Sequence, residues 1–173
     1  MAPNRPRATQ TPLGSLIAGR LAGAYFHDAW SVRAGDQQLS ALGQFLKMMS
    51  GTPRWIEHCM ALRNRVVAKL GLKYLGGFSN FDRTKAEADY RPGDRVGLFT
   101  LFERTPDEVL LGDRDKHLDV VLSLYRQQSG PDVTLTVTTV VHVHNWLGRI
   151  YMLPVAPMHK VIAPATMRHL ALP

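Results

Sequence analysis

The sequence predicts a single α+β domain in which an antiparallel sheet encloses a mainly apolar cavity. Its 173 residues are 45% hydrophobic and 20% charged, a globular balance, and a chain this long buries roughly 70% of its unfolded surface around one core. Helical periodicity is confined to two stretches in the first half and one at the end. The stretch between them is rich in β-branched and aromatic residues at alternating positions, parted by turns too short for parallel crossovers.

Residues 1–15, with Pro3, Pro6 and Pro12 among polar neighbours, are expected to form a mobile tail, which leaves residues 16–173 as the domain. AYFHDAWSVRA then alternates, with Tyr25, His27 and Ala29 opposite Phe26, Asp28 and Trp30, and reads as the first strand. From Gln37 to Ser50, Leu39, Leu42, Phe45, Leu46 and Met49 recur at the spacing of one helical face. A second helix follows Gly51, with Thr52 as its cap, Pro53 at its first position and Gly71 as its stop. Trp55, Cys59, Leu62, Val66 and Leu70 line its apolar face, which is expected to be buried.

Lys73 to Arg95 mixes glycines, prolines and charges and reads as a long loop, lying over an opening. Five strands are expected after it: VGLFTLFER, VLLGD, LDVVLSLYRQ, VTLTVTTVVHVHN and GRIYMLPV, about six in all. Within two of them period two aims Leu118, Val120, Leu122 and Leu124, and Val133, Leu135, Val137, Val141 and Val143, toward the interior. The last element is an amphipathic helix from Pro157 to about Leu170, whose Val161 and Ile162 meet those strands and leave room for a long apolar ligand.

A net charge of +7 and a pI near 9.9 invite a nucleic-acid partner. The basic residues are interleaved with acids, as in DRTKAEAD and GDRDKHLD, so no specific nucleic-acid binding is expected. No run approaches the roughly 20 apolar residues of a membrane span, and no secretory leader is expected. The single cysteine, Cys59, excludes an internal disulfide and fits a reducing cytoplasm.

Asp28, Glu103, Asp113, His117, Asp119, His144, Tyr151 and His159 are polar residues interrupting stretches that otherwise read as strand or core. A few convergent polar groups in an apolar pocket are what orients a small ligand. The candidate ligand-binding set is Glu103, His117, Asp119, Val137, His144, Tyr151, His159 and Ile162, with His159 in the first turn of the expected last helix. There His159 either meets a ligand or ties the helix to a carboxylate such as Asp119 or Glu103. His142 and His144 lie two apart on one strand face, but no H-E-x-x-H or paired-cysteine pattern supplies further ligands, so no metal site is expected. No G-x-S-x-G is present, and Cys59 is expected to be a core residue. No cofactor and no catalytic residue is assigned.

The order strand, two helices, about five strands, helix resembles the helix-grip architecture of the START and birch-pollen-allergen (SRPBCC) superfamily, in which a curved antiparallel sheet wraps a long C-terminal helix. GAYFHDAW, ALRNRVVAKLGL, GLFTLFER, LGDRDKHLDVVLSL and TVTTVVHVHNWLGRIYMLPVAPMHKVI together resemble the bacterial domain-of-unknown-function family DUF 2867, from about Leu21 to Leu170. Some members of that family stand behind a nicotinamide-binding Rossmann domain, whose G-x-G-x-x-G is missing from this sequence. The resemblance implies that a small hydrophobic molecule binds between the sheet and the last helix. The alternative is a protein-interaction module, a homodimer or the partner of an oxidoreductase, with a filled core.

Overall fold

Strand pairing begins at the long hairpin of Leu118–Ser129 (β6) and Asp132–Val143 (β7), whose register runs unbroken from Leu118 opposite Val143 to Ser129 opposite Asp132. Gly130, at φ 59°, and Pro131 make its two-residue turn, and the positive φ is why glycine stands there. The computed structural model describes residues 4–69, 77, 81–82 and 84–171, and among these seven strands form one sheet. The others are Arg7–Thr9 (β1), Phe26–Arg33 (β2), Arg95–Val96 (β3), Phe99–Arg104 (β4) and Glu108–Arg114 (β5). Their order is β1-β2-β7-β6-β5-β4-β3, every neighbour antiparallel.

The count of seven instead of six has three local causes. Arg7–Thr9, within the expected tail, pairs with β2 as an edge strand. VGLFTLFER breaks into β3 and β4 around Gly97, at φ 63°. GRIYMLPV, expected as a strand, is instead helical and belongs to Trp146–Met167 (α3), which starts eleven residues before Pro157. Asn145 sets that start by accepting a hydrogen bond from Gly148 N on its side chain at 3.1 Å. Gly148 is obligatory at this point, since a Cβ would lie 2.4 Å from the His117 carbonyl oxygen. Pro154, Pro157 and Pro164 all sit inside the helix, each removing one backbone donor, and burial of Met152, Ala163, Thr166 and Met167 against the rest of the molecule outweighs that loss.

The first helix is Ala41–Ser50 (α1), capped by Ser40, whose hydroxyl accepts from Gly43 N at 3.1 Å. It buries Leu42, Phe45, Met48 and Met49. The second, Arg54–Lys69 (α2), is turned differently from the expectation: Ile56 and Asn64 are buried, whereas Trp55, Leu62 and Val66 are exposed and Cys59 is half-buried. Leu70 and Gly71 lie outside the described residues. So do residues 73–76, 78–80 and 83 of the expected loop, while its later part holds a 3-10 turn at Glu87–Asp89.

Both sheet faces are covered. The main core joins α1 and the Met167 to Leu170 end of the chain to Leu122, Leu124, Val133, Leu135 and Val137. On the opposite face a 3-10 turn, Leu16–Arg20, places Ile17 over Leu110, Val121 and Val140. No helix among the described residues is long and apolar enough to cross a membrane.

Candidate functional site

Alternation along β2, β6 and β7 aims one set of side chains at α3, and the space left between them is a cavity of about 150 Å³. The sheet contributes Leu118, Val120, Leu122, Val137, Thr139 and Val141, together with Phe26. From α3 come Tyr151, Met152, Val155, His159, Ile162 and Ala163, the residues that one face of a continuous helix presents. Met48 and Met49 of α1 reach the same space.

The lining is mainly apolar, with two polar clusters. At the first, His159 Nδ1 is 2.9 Å from Asp28 Oδ2, and His159 Nε2 is 3.3 Å from the Thr139 hydroxyl. Asp28 and Thr139 are register partners on β2 and β7, so the sheet itself brings carboxylate and hydroxyl side by side below the imidazole. Trp30 Nε1 donates to the same Asp28 oxygen at 3.1 Å, and Phe26 meets the imidazole edge-on with centroids 5.6 Å apart. Asp28 Oδ1 is buried and accepts no hydrogen bond from the described residues. At the second cluster, Arg63 of α2 donates from Nε to the Tyr151 hydroxyl at 3.0 Å, with its guanidinium 5.3 Å from the Tyr151 ring centroid. Asp113 and Asp115 line the cavity as well, and Asp113 pairs with Arg95 at 3.6 Å.

Of the expected ligand-binding residues, Val137, Tyr151, His159 and Ile162 line this cavity and four do not. Glu103 is exposed where the β4–β5 register shifts. His117 binds Asn145 at the start of α3, with Nδ1 3.2 Å from Oδ1. Asp119 and His144 pair with each other at 3.2 Å outside the cavity. His159 lies well inside α3 and not in its first turn, and its carboxylate partner is Asp28, neither Asp119 nor Glu103. Val161 is exposed, and Ile162 alone of that pair faces the sheet.

The expected set omits Asp28, Thr139 and Arg63. Alternation puts Asp28 on the Phe26–Trp30 face, which is the signal available, but no spacing rule joins a residue of β2 to one 131 positions later. His142, which shares a strand face with His144, hydrogen-bonds the Arg20 carbonyl at 2.9 Å. No cluster among the described residues could hold a metal ion. Away from the cavity, burial pushes the Tyr90 phenol up, and a hydrogen bond from Lys85 holds the Asp94 carboxyl down.

No curated protein and no solved structure matches the chain significantly. A family model described as "Protein of unknown function (DUF2867)" matches residues 20–166, a span that takes in β2 through nearly all of α3 and therefore every residue of the cavity.

Proposed function

We propose that this chain, which belongs to the DUF2867 family, binds a small, mainly apolar molecule in the cavity between the sheet and α3. The observation that carries this is an apolar space of about 150 Å³ with only a few oriented polar groups at its wall. An apolar cavity of about that volume holds benzene or xenon, so one ring or a short branched chain fits it. The element order, with the last strand returning to pair with β2 and the long helix across one face, supports the helix-grip reading and SRPBCC kinship. The lone half-buried Cys59 supports a reducing cytoplasm as its compartment.

Calorimetric titration with toluene tests the binding. A dissociation constant below about 1 mM, with the negative heat-capacity change of apolar burial, is expected. No heat at any attainable concentration would remove the proposal.

A second reading, a homodimer, is favoured by Trp146 and Leu153, which are 70% and 68% exposed and fall with Ile150 on one face of α3. This interface requires no filled core and can coexist with the cavity. Sedimentation at micromolar concentration is expected to show a dimer that Leu153→Glu dissociates. A monomer throughout would dismiss it.

A further inference from the structure

We infer that the cavity selects a hydroxylated ring, with His159 Nε2 accepting a hydrogen bond from a phenolic O–H. This rests on the binding reading above and names the chemical class that the site takes.

The direction of the hydrogen bonds carries the inference. A carboxylate only accepts, so the 2.9 Å contact between Asp28 Oδ2 and His159 Nδ1 puts a proton on Nδ1. In the neutral ring the remaining nitrogen, Nε2, then presents a lone pair. The partner that Nε2 has in the structure is the Thr139 hydroxyl at 3.3 Å, long for a hydrogen bond whose donor is a hydroxyl, and Thr139 lines the same cavity. A ligand hydroxyl at the usual spacing of about 2.8 Å makes the shorter bond in its place.

The acceptor is also held still. Trp30 Nε1 fixes the Asp28 oxygen from one side, and Phe26 packs against the imidazole in a T-shaped contact. Val137, Val141 and Ile162 of the same lining offer a ring apolar contact. Tyr151, which holds the Arg63 cluster, stands eight residues back along α3, about 12 Å at the helical rise, beyond the reach of a one-ring ligand bound at His159. An apolar ring with one hydrogen-bond donor matches this arrangement, whereas a ring without a donor leaves Nε2 to its weak bond with Thr139.

Phenol and toluene are near-isosteric, and both are uncharged at neutral pH, so the pair isolates the hydroxyl. Both are titrated into the full chain and into His159→Phe. The ratio of phenol to toluene affinity is expected to fall about tenfold in the variant, the worth of one hydrogen bond to a polar acceptor. In the native protein the Nε2 nitrogen resonance of His159 is expected to shift with phenol and to hold its position with toluene, a readout that needs no variant to fold. Equal ratios in the two proteins, or a resonance that moves alike with both ligands, would overturn the inference while leaving the cavity intact. Failure of both ligands to bind would instead take down the binding reading and this one together.

Discussion

Glu108→Ala is expected to lower the stability of the protein by about 3–5 kcal/mol, since it leaves three donors without their acceptor at about 1–3 kcal/mol for each buried one. Glu108 opens β5 and is 3% exposed. Its carboxylate accepts from Ser123 Oγ at 2.6 Å, from Leu16 N at 2.5 Å and from Ile17 N at 3.3 Å. Those bonds fasten the 3-10 turn to the sheet face opposite α3, where Ile17 packs against Leu110, Val121 and Val140. Alanine leaves two backbone donors and a hydroxyl without their acceptor in a nearly dry place, and it loosens the Ile17 contact as well. Glu108→Gln, which keeps one acceptor oxygen and the shape, is expected to lose about half as much. Urea unfolding reads both as a lower midpoint at unchanged slope. Because the cluster lies across the sheet from the cavity, toluene affinity is expected to stay the same in any fraction that remains folded. A loss under about 1 kcal/mol for the alanine variant would show that the turn is not held by this carboxylate.

Val137→Trp is expected to abolish toluene binding while shifting the melting temperature only a little. Val137 ends the row of β7 side chains, with Thr139 and Val141, that lines the cavity; it pairs with Trp30 on β2 and Leu124 on β6 and is 3% exposed. Its side chain points at α3, so the indole enters space that is now empty, near Leu122 and Ile162. In a core without that space the same change forces neighbouring side chains off their rotamers, typically at about 1–3 kcal/mol. The pair of readouts separates the cases. Lost binding with a nearly unchanged melting temperature fits a cavity at Val137. A large drop in melting temperature means that the space was filled, and retained binding in a stable variant places the ligand elsewhere.

The fold is legible in the sequence wherever one physical effect dominates. In β6 and β7 the helix-facing side chains are apolar over several consecutive alternations, so period two alone marks Leu122 and Val137 as interior. The start of α3 is hidden because Ile150, Tyr151 and Val155 suit a strand as well as a helix, and Pro154 and Pro157 argue against helix locally. What decides the matter is the Asn145 cap and the burial of Met152 and Ala163, neither of which is visible to local propensity. Along α2 hydrophobicity points to Trp55, Leu62 and Val66 as the inner face, while the structure turns Ile56, Arg63 and Asn64 inward. Glu108 carries no signal at all, since a glutamate beside a turn reads as solvated until its three distant donors are placed around it.

The cavity itself is tested most directly by a crystal of the protein pressurised with xenon, which enters apolar voids of this size without needing a hydrogen-bond partner. The expected result is a xenon atom among Leu122, Val137 and Ile162, with α3 in its present position. Ordered waters filling that space, or side chains closed over it so that no xenon enters, would contradict an apolar binding cavity between the sheet and α3.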